Sequence, residues 1–164
     1  MDNESFLSAL KSAVGAAQVL SDAATCEFYA NDIFWQPGVA PLAVVMPQTR
    51  AQAVAAVKAA AAYAIAVVPR GGGMSYTKGY LPESTQTIVI DTRKLNSVIE
   101  VNVPDRYITV EAGCTWAEVH EALKPTGMNT GYWGPLSGIN ATVGGALSQN
   151  SAFFGSTLDR KSVV

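Results

Sequence analysis

Val67-Val68-Pro69-Arg70-Gly71-Gly72-Gly73-Met74-Ser75-Tyr76 turns an apolar run into three consecutive glycines closed by a hydroxyl. The run from Ala64 to Val68, bounded by Pro69 and the glycines, predicts a short buried strand. Glycines directly after a strand allow positive φ, a sharp turn and a close approach of backbone to ligand. Successive N–H groups in such a turn point into one concavity, which attracts anionic oxygens, typically phosphate. The competing reading is a flexible surface turn. A second glycine-bearing stretch, Gly138-Ile139-Asn140-Ala141-Thr142-Val143-Gly144-Gly145, weighs against it.

Upstream, Leu42 to Met46 is a short apolar run between Pro41 and Pro47, read as a strand. Thr49-Arg50-Ala51-Gln52 fits a capping box, with Thr49 as the cap and Gln52 reaching back to the Thr49 N–H. The alanine-rich sequence that follows is a strong helix former and continues to about Tyr63. Strand, helix and strand in so short a span predict a right-handed βαβ unit with Leu42–Met46 parallel to Ile65–Val68. Ligand crevices of open α/β sheets lie outside the carboxyl ends of the strands, where the glycine turn sits. Further upstream, Phe6, Leu7, Leu10, Val14, Ala17 and Leu20 recur at helical spacing and predict a helix over residues 5–20. Ser21 to Gly38 reads as irregular structure packed by aromatic rings, with room for one short helical turn.

Downstream, Thr87 to Asp91 predicts a third buried strand. Leu95–Val103 and Tyr107–Glu111 predict an antiparallel hairpin turning at Pro104-Asp105. Thr115-Trp116-Ala117-Glu118 is another capping box, opening a helix through Val119 and Leu123 that Pro125 and Gly127 terminate. His120 lies on that helix and reads as an ordinary, partly exposed histidine. Met128 to Ile139 is glycine- and proline-rich loop. Asn140 or Thr142 then caps a short helix running from Val143 towards Asn150, whose N-terminus is a second anion-favouring site. Two such sites, on either side of a three-strand sheet and a hairpin, suggest a ligand with an extended phosphate chain.

Composition narrows the class. A 164-residue chain with 49% hydrophobic and 15% charged residues can form a packed core. The net charge of −2 marks no nucleic-acid surface or anionic-membrane surface. No uncharged apolar run reaches the length of a membrane span, and no signal peptide is evident at the start. Cys26 and Cys114 are far apart without CxxC spacing, which excludes a sequence-evident zinc site and predicts thiols in a reducing, cytoplasmic compartment. A Walker A loop fails because Lys78 precedes its glycine, and a Rossmann GxGxxG fails because Tyr76 stands at the third glycine.

Taken in order, PRGGGMSYTKG after a βαβ unit, a strand ending in Asp91, a hairpin ending in Glu111-Ala112-Gly113, a Trp-containing helix and a proline loop into ATVGG resemble a known family. They are similar, over about residues 38 to 155, to the first part of the flavin-binding domain of the vanillyl-alcohol oxidase and p-cresol methylhydroxylase family of FAD-linked oxidases and dehydrogenases. The resemblance implies an α+β fold of the p-cresol methylhydroxylase (PCMH) type, truncated: a small parallel βαβ sheet subdomain plus a mainly antiparallel α/β subdomain. It also implies that Arg70, Gly71, Gly72, Gly73, Met74 and Ser75 wrap the FAD pyrophosphate, with Gly79 and Tyr80 continuing towards the isoalloxazine. Pro135, Ser137, Gly138, Thr142, Gly144, Gly145 and Asn150 would line the flavin from the other side.

Many members tether FAD through a histidine at the position of Met74, so non-covalent FAD is expected here. The implied activity is an FAD-dependent oxidoreductase oxidising a small alcohol, hydroxy acid or phenolic substrate. The alternatives are an NADPH-dependent flavin reductase of the cell-wall precursor type and a non-catalytic nucleotide-binding module. The family's acid–base residues lie mostly in parts beyond this sequence, so no catalytic residue is assigned and little activity is expected of this portion alone. The chain is therefore read as a lead-in over 1–37 and a partial FAD-binding domain over 38–158. Residues 159–164, Asp159-Arg160-Lys161-Ser162-Val163-Val164, are the translation of the start of a common short-read sequencing adapter and are read as a non-native tail; a natural hydrophilic tail is the alternative.

Overall fold

The computed structural model describes residues 2–33, 38–131 and 137–150, which fall into two units divided after Leu95. The first unit opens with α1 (Asn3–Val14), whose Asp2 cap accepts the N–H groups of Glu4 and Ser5. Phe6, Leu10 and Val14 form its buried stripe. Gly15, at φ +102°, stops the helix there, so the helix predicted to residue 20 ends early. A 3-10 turn at Ala16–Gln18 leads into β1 (Val19–Leu20), an antiparallel edge strand that the helical spacing had absorbed.

The segment expected to be irregular contains α2 (Ala23–Tyr29), started by Asp22 accepting the Thr25 N–H. Next come β2 (Ala43–Val45), α3 (Arg50–Ala62), β3 (Ala66–Arg70) and β4 (Thr87–Asp91). At α3 the Thr49 hydroxyl accepts the Gln52 N–H, but the Gln52 side chain accepts from Gln48 N and donates to Val14 O. The box is thus left open on one side, and Gln52 ties α3 to the end of α1 instead.

Among the described residues the sheet order is β1-β2-β4-β3, four strands rather than three. β2 and β3 are parallel to one another, as the βαβ reading requires, but β4 lies between them. The sequence explains the insertion. Every residue of β4 is buried, as suits a strand covered on both faces, whereas Pro69 lacks an N–H and is tolerated in β3 because β3 is an edge. Alternation divides the core. Ala43, Val45, Ile88 and Ile90 pack with Phe6, Leu10, Ala56 and Ala60 from α1 and α3, while Val44 and Val89 pack with Tyr29 of α2. Residues before 38 thus belong to the same hydrophobic unit as the sheet, because their apolar faces cover it.

The second unit begins with the hairpin β5 (Val98–Asn102) and β6 (Tyr107–Val110), antiparallel with an irregularity between Val98 and Glu100. α4 (Trp116–Leu123) follows with a complete capping box: Thr115 Oγ1 accepts the Glu118 N–H at 3.2 Å, and Glu118 Oε2 accepts the Thr115 N–H at 2.7 Å. Gly127, at φ +69°, closes the 3-10 turn Lys124–Thr126 after it. α5 (Val143–Ser148) completes the unit. Cys114, Val119 and Leu123 form its core, with Val101, Ile108, Val110 and Val143 packed around them.

Candidate functional site: a glycine loop over a caged arginine

In the first unit the parallel strand β3 ends at Arg70 and the chain turns through Gly71, Gly72 and Gly73, with Gly73 at φ +66°. The carbonyl of Arg70 accepts the Thr92 hydroxyl at 3.3 Å, which fixes the point of departure from the sheet. Among the described residues, no acceptor takes the N–H groups of Gly71, Gly72, Gly73 or Met74. The carbonyls are treated differently. Tyr80 Oη lies 2.9 Å from both Gly73 O and Ser75 O and shares its single proton between them. Ser75 Oγ lies 2.9 Å from Thr77 Oγ1 and accepts the Thr77 N–H, tightening the far end of the turn. Gly79 is exposed beyond it, after Lys78 in the left-handed region at φ +59°.

The Arg70 side chain folds beneath this loop and is 9% exposed. Its guanidinium lies 4.8 Å from the Tyr29 ring centroid, 4.7 Å from that of Tyr80 and 5.6 Å from that of Phe28. Among the described residues its hydrogen bond is a long one, 3.4 Å to the Asn31 carbonyl. The ion pairs of the described residues join Arg93 to Asp91 and Lys124 to Glu121, and neither includes Arg70. Burial pushes its pKa down, with the surrounding tyrosines and Asp91 opposing. A cation held by aromatic faces, rather than neutralised by a carboxylate, leaves its field available to a ligand above it.

Asp91, fully buried at the end of β4, accepts from Arg93 and from the Tyr29 hydroxyl. The Tyr29 phenol is pushed up to about 12, by burial first and by its bond to Asp91 second. Arg93 is raised by its hydrogen bonds to the same carboxylate. This network holds the α2 end, and with it the Tyr29 face on which Arg70 rests. From sequence, Phe28 and Tyr29 belong to a segment packed by aromatic rings, and no motif points to Arg93. The available signal was an arginine placed where a strand core ends, which demands a cage or a counter-charge.

The other expected residues lie in the second unit and are arranged differently. Thr142, not Asn140, caps α5, its Oγ1 accepting the Gly145 N–H at 3.2 Å. The Val143 N–H goes to Cys114 O at 2.8 Å, and the Gly144 N–H to Ala112 O at 2.9 Å. The first-turn amides expected to face an anion are therefore all engaged inside the unit. Gly144 is glycine for a packing reason: a Cβ there would meet the Ala112 Cβ and carbonyl oxygen at 2.8 Å. Ser137 O accepts from Asn140 and Ala141, and Gly138 O accepts the Ala117 N–H in the first turn of α4. Asn150 lies just beyond α5, after the Gln149 C-cap, in the left-handed region at φ +48°, and is exposed. Pro135 lies outside the described residues.

His120 is half-buried on α4, and no group of three or more His, Cys, Asp or Glu able to hold a metal occurs among the described residues. Cys26 and Cys114 are both buried free thiols. No helix among the described residues is long and apolar enough to cross a membrane.

The chain is similar to known proteins in sequence and in fold. The chain is 33% identical over 121 residues to a D-2-hydroxyglutarate dehydrogenase of Xanthomonas citri pv. viticola, covering 73% of this chain and 25% of that protein. It is 28% identical over 128 residues to the mitochondrial D-lactate dehydrogenase [cytochrome] of Kluyveromyces lactis, covering 76% and 22%. The chain thus spans about a quarter of the length of these relatives. Among solved structures, alkyldihydroxyacetonephosphate synthase superposes with a TM-score of 0.83 at 23% identity, over 98% of this chain and 34% of that one. p-Cresol methylhydroxylase superposes with a TM-score of 0.74 at 19% identity, over 88% and 29%. The fold is that of a PCMH-type FAD-binding domain, as expected from the motif order. With residues 41–162 matching the family described as the FAD binding domain, three-quarters of its length, the chain belongs to that family.

Proposed function

We propose that this chain supplies the FAD-diphosphate site of an oxidoreductase that oxidises a small 2-hydroxy acid. The observation that carries the reading is the loop Gly71–Met74: among the described residues its four amides find no acceptor, and the buried guanidinium beneath has no carboxylate partner. Such a loop fits a diphosphate: the amides donate to its oxygens, and the cation beneath offsets its charge in a poorly solvated setting. Gly73 accommodates both the positive φ and the guanidinium below it.

Bound FAD would accept hydride from the substrate C–H bond. The hydroxy-acid class is favoured by relatives named D-2-hydroxyglutarate dehydrogenase and D-lactate dehydrogenase. Met74 carries no nucleophilic nitrogen, so FAD is held without a covalent tether through this residue. Ser137, Gly138, Thr142, Gly144, Gly145 and Asn150, with Pro135, are assigned to the flavin side by family resemblance. Because the Gly144 and Gly145 amides are engaged, any contact there uses the backbone surface and the Ser137 and Asn150 side chains.

The test uses the full-length protein. Incubation with FAD and desalting should give the visible flavin spectrum, and anaerobic D-2-hydroxyglutarate or D-lactate should bleach it. Acid precipitation should leave the yellow colour in the supernatant. Protein that stays colourless overturns the FAD reading; a yellow pellet overturns dissociable attachment; bleaching by neither acid removes the hydroxy-acid assignment.

A further inference from the structure

We propose that Tyr80 and Arg70 are positioning residues that hold the glycine loop in its diphosphate-ready form and so favour FAD over flavins without a diphosphate, an inference that rests on the FAD reading above. Family resemblance places Tyr80 beside the isoalloxazine, but the residue is 8% exposed and its hydroxyl is engaged by two loop carbonyls. Holding the carbonyls of Gly73 and Ser75 with one hydroxyl fixes two peptide planes of a glycine-rich turn that could otherwise rotate freely. The same tyrosine ring covers the Arg70 guanidinium. That guanidinium in turn lies against Gly73: a Cβ there would fall 2.6 Å from Arg70 Nη2 and 2.9 Å from its Nε.

Ring, cation and loop are therefore one stacked assembly, in which each member fixes the next. At 9% exposure Arg70 acts through the loop and through its field, not as an exposed hook. A loop that is competent only part of the time binds its ligand with an affinity reduced by that fraction, so loosening the assembly weakens binding without altering the contacts in the bound state.

The experiment compares FAD with riboflavin, which carries no phosphate, on the full-length protein and three variants. Tyr80→Phe keeps the ring over Arg70 and removes only the hydroxyl; FAD binding should weaken about five- to ten-fold while riboflavin binding is unchanged. Arg70→Met fills the cage without charge; FAD binding should weaken about ten-fold or more and lose much of its dependence on salt. Arg70→Lys should restore the salt dependence and part of the affinity. Unchanged FAD binding in Tyr80→Phe and Arg70→Met, or equal losses for FAD and riboflavin, would overturn the inference while leaving the FAD reading intact. Wild-type protein that binds no FAD would instead remove the reading itself and this inference with it. A variant that fails to fold is recognised by its thermal transition, and Tyr80→Phe, which retains every apolar contact, then decides.

Discussion

The two glycine-bearing stretches look alike in sequence and serve opposite ends in structure. In the loop after β3 the amides of Gly71 to Met74 find no acceptor among the described residues, and the tyrosine below holds carbonyls. At the start of α5 the amides of Val143, Gly144 and Gly145 are all taken, and Gly144 exists to let the helix touch Ala112. Glycine removes a side chain in both places. What an added Cβ would meet differs: at Gly73 it is the movable end of the Arg70 side chain, and at Gly144 it is the backbone and Cβ of Ala112. A glycine pair near a helix start is thus evidence of close approach, and only the hydrogen-bond accounting says whether a ligand or a neighbouring strand is what approaches.

The strongest test of that contrast is Gly144→Ala. Its Cβ would press on backbone and on a short side chain, neither of which can swing aside, so a loss of about 3 kcal/mol in unfolding free energy is expected. Denaturant unfolding of the apo protein measures it. A loss below about 1 kcal/mol would mean that the close packing at Ala112 is dispensable and would reopen the ligand explanation for this glycine.

Alkaline titration separates the two units next. Tyr29, pushed up to about 12 from an ordinary 10.0, keeps its proton longer folded than unfolded. Its contribution is complete below pH 10 and is lost as pH rises towards 12, on the order of 2 kcal/mol. Cys114, pushed up to about 11 from 9.0 by burial first and Glu118 next, behaves the same way one unit lower. Tyr29→Phe should therefore flatten the fall in melting temperature in the upper window, and Cys114→Ala the fall in the lower. If Cys114→Ala left the profile below pH 11 unaltered, the thiol would not be the group that titrates there.

Much of this was legible from residues alone. The strands around Val44, Val67 and Val89 and the cap at Thr115 follow from apolar runs and capping chemistry. The missed parts share a cause: local periodicity competed with a longer-range demand. Leu20 falls at helical spacing with Phe6, yet Gly15 breaks the helix and Leu20 goes to an edge strand beside Val44. The strand order escaped because pairing partners are set by which strand is buried on both faces, and β4 comes last of the parallel three. At the site, the glycines and Arg70 were visible, but the cage was not, since Tyr29 and Tyr80 lie 41 residues before and 10 after the arginine they cover. No spacing rule links them.

Gly73→Ala is the counterpart of Gly144→Ala and should behave in the opposite way. Alanine at φ +66° costs roughly 1–2 kcal/mol, and the clash is with the movable end of the Arg70 side chain rather than with backbone. The apo protein should thus lose less stability than the Gly144 variant, while FAD binding falls further because the guanidinium must leave its seat. Isothermal titration with FAD beside denaturant unfolding reads both quantities. Equal FAD affinity in wild type and Gly73→Ala would mean that the loop conformation is not the one that binds.

The smallest effect sharpens the comparison furthest. Thr142→Ala removes the hydroxyl that accepts the Gly145 N–H, and loss of such a cap costs about 1 kcal/mol. The substitution also frees an amide. If the engaged amides of α5 are structural, freeing one lowers stability and leaves FAD affinity where it was. If instead the cap merely parks a donor that FAD would recruit, the variant would bind FAD as well as or better than wild type despite its lower melting temperature. A rise in FAD affinity on Thr142→Ala would therefore erase the distinction between the two glycine stretches, whereas an unchanged affinity with a lower melting temperature leaves the loop at Gly71–Met74 as the one that meets the diphosphate.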